Sequence, residues 1–152
     1  MPYIKYVKSV GAVVLNKDNR MLIMFQKENR YWEFPKGKVE PGEEENEQNT
    51  LSREIEEETG ITDLKIIPGF RYRLRYQFTL HGQIIRKENI FYLAVAQNDK
   101  IKISDEHLDY KWVSLLAVNR YLKHKNQRIL IYQLREFLKN HPLPNESKMA
   151  SS

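Results

Sequence analysis

Four side chains near the middle of the chain have the types and spacing to do chemistry: Arg53, Glu54, Glu57 and Glu58. If residues 46–59 are helical, Glu54 and Glu58 stand at i,i+4 and Glu54 and Glu57 at i,i+3, which puts the carboxylates on one helix face. Like charges so placed repel and weaken a bare helix. A hard divalent cation reverses the sign, because Mg²⁺ or Mn²⁺ takes carboxylate oxygens as ligands. Gly60 then falls just past the helix C-terminus, where a positive φ is wanted. The ordinary alternative for such a run is a solvated, glutamate-rich face.

The surroundings argue against that alternative. The run is preceded by Phe34-Pro35-Lys36-Gly37 and Glu40-Pro41-Gly42-Glu43, a stiff loop punctuated by glycine, and it ends at Gly60-Ile61. Gly37 allows the main chain to approach a ligand closely, and a carbonyl there can join a metal's oxygen ligands. Leu51 and Ile55 form an i,i+4 apolar stripe that can face a sheet and leave the glutamates on a polar margin.

Residues 37–61 resemble the Nudix box, G-x5-E-x7-R-E-U-x-E-E-x-G-U with U aliphatic. Arg53, Glu54, Ile55, Glu57, Glu58, Gly60 and Ile61 match its tail, and Gly37 with Glu43 matches its head. The chain departs from the pattern in carrying nine residues between Glu43 and Arg53 where the family has seven, so that Glu45 holds the family position when counted back from Arg53. Two more helical residues would rotate the upstream part by about 200°, so the loop is expected to absorb them, with either Glu43 or Glu45 supporting it.

The resemblance implies an α/β fold, an α/β/α sandwich with a mixed β-sheet and a catalytic loop–helix–loop. It also implies metal-dependent hydrolysis of a pyrophosphate linkage. Glu54, Glu57 and Glu58 would be Mg²⁺ or Mn²⁺ ligands together with the Gly37 carbonyl, and Glu58 is the favoured general base. Arg53 would orient the glutamates, its alternative being a surface pair with Glu57. Lys36 and Lys38 are candidates for phosphate contacts or for plain solvated lysines. A non-catalytic nucleotide- or RNA-binding module would be expected to lose box glutamates, which this chain keeps.

A second, weaker resemblance covers most of residues 7–140 and points to the asymmetrical diadenosine tetraphosphate hydrolase branch. It rests on Ile67-Pro68-Gly69-Phe70, Ile90-Phe91-Tyr92-Leu93-Ala94, and Ser104-Asp105-Glu106-His107 followed by Tyr110-Lys111-Trp112. Lys38 departs from it, since several relatives have His there. This resemblance implies hydrolysis of a dinucleoside tetraphosphate to a mononucleotide and a triphosphate. Other nucleoside triphosphates, nucleotide sugars and RNA 5′-triphosphate ends are the alternative substrates. Glu106 would be a further ligand or base, or an exposed loop acid. His107 would contact phosphate or make a structural hydrogen bond. Tyr72, Tyr76 and Phe91 are candidates to stack on adenine, or are core. Arg71, Arg73 and Arg75 would line a phosphate path or form a solvated face, the latter being favoured.

Around these residues the pattern is of strands first, a helix, more strands and then helices, which suggests a mixed sheet covered by helices. Strands are expected over Tyr3–Leu15, Met21–Gln26 as its hairpin partner, Tyr31–Phe34, Leu64–Leu80, Gln83–Ala96, Ile101–Ile103 and Tyr110–Val113. From Phe70 to Leu80 the alternation is strict, as for a long half-buried strand. Ser114 is expected to cap a helix carrying Leu115, Val118, Tyr121 and Leu122, and a last helix spans Asn126–Asn140.

The 152 residues suit one domain, residues 1–145, with a disordered tail at 146–152. No apolar run reaches the ~20 residues of a membrane span, there is no leader pattern, and Cys is absent, which excludes disulfide and thiolate chemistry. A cytoplasmic protein with a small nucleotide as partner is expected, without membrane association and without nucleic acid other than RNA 5′ ends. The net charge of +5 despite the acidic box suits a polyanionic substrate.

Overall fold

The computed structural model describes residues 3–143; the expected tail at 146–152 lies outside them. A seven-stranded mixed sheet is built from β1 (Ile4–Leu15), β2 (Met21–Gln26), β3 (Trp32–Glu33), β4 (Lys36–Lys38), β5 (Lys65–Leu80), β6 (Gln83–Val95) and β7 (His107–Val113). Two helices, α1 (Glu47–Thr59) and α2 (Lys125–Asn140), cover it. The order is β3-β2-β1-β6-β5, with β4 added to β1 and β7 to β2.

β1 runs parallel to β6 along its whole length, from Ile4↔Ile84 to Leu15↔Val95. It meets β2 only at Leu15↔Met21, so the expected hairpin is closed at its mouth alone. β2 spends its length on β7 instead. The continuous apolar run of β1 is that of a strand covered on both faces. Val10, Ala12 and Val14 join Leu51 and Ile55 of α1 in one core layer. Val13 and Leu15 join Leu130, Ile131, Leu134 and Leu138 of α2 in the other. Each fully buried Leu or Ile contributes about 1.5–3 kcal/mol.

Helix α1 starts where its signals allow. The Asn46 side chain accepts a hydrogen bond from the Asn49 N–H at 3.0 Å, and Gly60, at φ 77°, closes the far end. The start at Glu47 leaves both extra residues in the preceding loop. Glu47 ties the first turn to three strands: its carboxylate takes Lys8 Nζ at 2.8 Å, Arg71 at 2.6 and 2.9 Å, and the Tyr92 hydroxyl at 2.6 Å. The helix N-terminus favours an acid at this position. Arg71 is thereby committed to α1 rather than to a phosphate path.

Four expectations need correction. Residues 101–103 form no strand; Ile101 and Ile103 pack on the α1-side core while the Lys102 N–H bonds to Thr59 O. Ser114 Oγ accepts the Ala117 N–H at 3.1 Å as an expected cap does, but the segment makes only a 3₁₀ turn at Val118–Arg120 before α2 starts at Lys125. The last strand begins earlier than Tyr110, at His107, so that residue leaves the polar loop and enters the sheet. The alternation in β5 buries Phe70 and Leu74 but leaves Tyr76, Phe78 and Leu80 at 37%, 42% and 51% exposure. The β5–β6 hairpin simply outruns the helices. Its register shifts between Ile66 and Arg71, around Gly69 at φ 97°, and its turn uses His81 and Gly82, both at positive φ, as a two-residue hairpin turn requires.

Candidate active site

The loop, β4 and α1 together set the positions of the box residues. Gly37 pairs with Val10, which holds β4 beneath the helix. A Cβ at Gly37 would overlap the Glu54 carboxylate, so only glycine lets the main chain and that carboxylate share the space. Arg53 binds Glu43 through two nitrogens at 2.7 and 2.8 Å. It also reaches Glu57 at 3.2 Å, Glu54 at 2.9 Å and the Lys38 carbonyl at 3.2 Å. Glu43, rather than Glu45, is therefore the loop carboxylate that meets the arginine. The Glu43 side chain also accepts the Glu40 N–H at 2.9 Å, which folds the loop back on itself. Arg53 holds the Glu43 carboxyl well below its usual range, at about 2.

The three glutamates do not share one environment. Glu54 and Glu58 are buried, whereas the Glu57 side chain is 59% exposed and turned toward Arg53. Among the described residues no three acidic or histidine side chains close into a ligand cage. The donors that do gather are of one chemical kind. Burial raises the Glu54 pKa, with the neighbouring glutamates adding to it against Arg53. Glu106, on the exposed turn before β7, is raised chiefly by the charge of Glu58 and then by burial. Carboxylates crowded beside a glycine main chain, with too little positive charge among them, fit a hard oxygen-seeking cation.

Of the two roles expected for His107, a phosphate contact or a structural hydrogen bond, the geometry matches the second. Its side chain is 2% exposed, with Nδ1 2.9 Å from Glu58 Oε2 and Nε2 3.0 Å from Glu33 Oε2. Ser104 Oγ lies 3.3 Å from the same Glu58 oxygen. Both ring nitrogens are engaged by carboxylates, so the ring has none to offer a substrate. Burial opposes its charge, but the hydrogen bonds it makes to the Glu33 and Glu58 carboxylates outweigh burial and push the imidazole pKa up to about 9. Glu33 escaped the sequence reading. The only signal was a single acid inside the aromatic stretch Tyr31-Trp32-Glu33-Phe34.

On the α2 side of the sheet opens a cavity of ≈480 Å³. Tyr31, Lys36, Tyr76, Lys87, Asn89 and Phe91 are among its walls. Lys36 pairs with Glu33 at 3.5 Å. Burial works against its charge, yet Glu33 prevails and the pKa is raised. Lys87 is shifted down by burial and by the charges of Lys36 and Lys38. Lys87 also went unnoticed in the sequence, since only the β5–β6 register brings it beside Tyr76. Phe91 is buried against Phe34, ring centroids 6.3 Å apart, and is mainly core. Tyr76 stacks on Phe78 with ring centroids 6.4 Å apart and remains 37% exposed at the cavity wall. Tyr72 packs on the core, and Arg73 reaches Glu88 at 3.7 Å.

A NUDIX domain profile matches residues 5–134, and the chain belongs to that family. It is 34% identical over 116 residues to the asymmetrical bis(5′-nucleosyl)-tetraphosphatase of Mus musculus, covering 74% of this chain and 75% of that one. It is 30% identical over 126 residues to the RNA pyrophosphohydrolase of Proteus mirabilis, covering 72% and 69%. Among solved structures, a binary complex of the Ap4A hydrolase of C. elegans superposes with a TM-score of 0.75 at 28% identity, over 88% of this chain and 98% of that one. The fold and the reaction class, pyrophosphate hydrolysis, follow from this membership. Nudix hydrolases generally use a divalent cation, and the oxygen donors here fit one.

Proposed function

We propose that the chain hydrolyses a dinucleoside polyphosphate, such as diadenosine tetraphosphate to ATP and AMP, with Mg²⁺ or Mn²⁺. The observation that carries the reading is the adjacency of two parts. The buried carboxylates Glu54 and Glu58, with Gly37 against Glu54 and the exposed Glu106 beside Glu58, adjoin through Glu33 and Lys36 a cavity lined by Lys36, Lys87 and the partly exposed Tyr76 ring. The similarity to the mouse tetraphosphatase supports the substrate.

A bound cation would neutralise phosphate oxygens and lower the pKa of a water. Glu54 and Glu58, with the Gly37 main chain and with Glu57 from the rim, are the residues to hold it. Glu58 is the favoured acceptor of the water's proton, with Glu106 its neighbour. Arg53 keeps Glu54 and Glu57 aligned by charge-assisted hydrogen bonds. Lys36 and Lys87 face the phosphate chain, and Lys38 adds positive charge beside them. Tyr76 stacks on one base, for which about 1–3 kcal/mol is typical.

A second reading, removal of pyrophosphate from RNA 5′ ends, is favoured by the similarity to RNA pyrophosphohydrolases. A panel containing diadenosine tetraphosphate, nucleoside triphosphates, nucleotide sugars and 5′-triphosphate RNA, with products resolved by chromatography, tests the choice. ATP and AMP at a kcat/KM well above the other substrates is the expected result. Preferential release of pyrophosphate from RNA would replace the first reading with the second.

A further inference from the structure

We propose that Glu33 and His107 are positioning residues: with Glu58 they form a buried carboxylate–imidazole–carboxylate chain that fixes the orientation of the Glu58 carboxylate toward the cation. The inference rests on the reading that Glu58 acts at that centre.

The three groups come from three elements far apart in sequence, β3, α1 and the start of β7. Their side chains are 9%, 7% and 2% exposed in the order Glu33, Glu58 and His107. A glutamate has three side-chain torsions, and one at the end of a helix sweeps a wide arc unless it is held. Glu58 Oε2 is taken by His107 Nδ1 at 2.9 Å and approached by Ser104 Oγ at 3.3 Å. This leaves the other carboxylate oxygen, Oε1, as the end to present to a ligand. His107 is itself fixed, because Nε2 meets Glu33 Oε2 at 3.0 Å. Glu33 is fixed in turn by its place in β3, opposite Met24, and by Lys36 at 3.5 Å.

The chain thus runs from the cavity wall, where Glu33 and Lys36 stand, to the carboxylate cluster on α1. It couples the residue that faces phosphate to the one that faces the cation. Hydrogen-bonded partners of this kind fix the orientation of metal ligands, and their loss commonly weakens metal affinity 10–100-fold.

The test is a Mn²⁺ titration of the metal-free protein, followed by electron paramagnetic resonance, for wild type, Glu33→Gln, His107→Gln and Glu58→Gln. Thermal melting of the metal-free forms and the kcat and KM of diadenosine tetraphosphate hydrolysis accompany it. Glu33→Gln keeps the shape of the side chain and removes the charge, so it is the variant expected to fold. The expected result is a 10–100-fold weaker Mn²⁺ affinity for Glu33→Gln and His107→Gln, a fall in kcat with KM nearly unchanged, and a Glu33→Gln melting temperature close to that of wild type. Unchanged Mn²⁺ affinity in folded Glu33→Gln, with Glu58→Gln weakened, overturns the positioning role and leaves the metal centre standing. Unchanged affinity in Glu58→Gln overturns both.

Discussion

The Glu54 carboxylate rests in the space that any side chain at position 37 would need: a Cβ on Gly37 would overlap its Cδ and both oxygens. Gly37 sits on β4, paired with Val10, and Glu54 on α1, so the contact locks the loop's main chain to that helix. Gly37→Ala is expected to cost about 1–3 kcal/mol of stability, as overpacking does, and to lower both kcat and Mn²⁺ affinity. Melting curves and metal titration check it; a variant that keeps wild-type metal affinity would show that the close approach is only packing.

Arg53 makes a two-nitrogen pair with Glu43 and still reaches Glu54 and Glu57. Lysine offers a point charge and cannot reproduce that fork. Arg53→Lys is expected to lower kcat about 10–100-fold with little change in KM, in line with the loss of a residue that orients metal ligands. Steady-state kinetics at saturating Mg²⁺ decide it. Glu45→Gln, away from the fork, is the comparison expected to be silent.

Much of this was legible in the sequence, and the reasons are local. The helix, its Gly60 stop and the Gly37 approach are written in spacing and residue type. The Glu43 assignment was not, because a loop can absorb two residues in more than one way; only the folded Arg53 contact decides between Glu43 and Glu45. Glu33, His107 and Lys87 depend on which strands pair, and strand pairing joins residues that no local pattern connects. The apolar alternation of β5 was visible, but not where the covering helices end, so the sequence did not show that Tyr76, Phe78 and Leu80 stay partly exposed.

Glu47 supplies an acid-dependent clamp between α1 and the sheet. Arg71 foremost, then Lys8 and Tyr92, hold its carboxyl at about 2 against the opposing effect of burial. The folded value lies below the ordinary one, so the clamp contributes fully above about pH 4.5. That contribution is lost as pH falls toward 2. Glu47→Gln is expected to cost about 2 kcal/mol near neutral pH, as for hydrogen bonds to charged groups. Its deficit relative to wild type should shrink between pH 4.5 and 2. Chemical denaturation across that range measures it, and a deficit independent of pH would remove the ionic explanation.

Tyr76 and Phe91 both border the cavity but should respond oppositely. Phe91, 5% exposed and packed on Phe34, is expected to cost about 3–5 kcal/mol of stability when cut to alanine. Tyr76→Ala should leave the melting temperature nearly unchanged and raise KM by about 5–150-fold, the equivalent of one stacked base. Calorimetry and kinetics on the pair separate the two roles.

The central claim is that buried carboxylates on α1 drive metal-dependent hydrolysis of a polyphosphate. The most direct measurement is the rate of diadenosine tetraphosphate hydrolysis by Glu58→Gln at saturating Mg²⁺, beside wild type and a metal-free control. A fall of about 10²–10⁴-fold, the range of general-base loss, is the expected result. A Glu58→Gln rate equal to that of wild type would contradict the account.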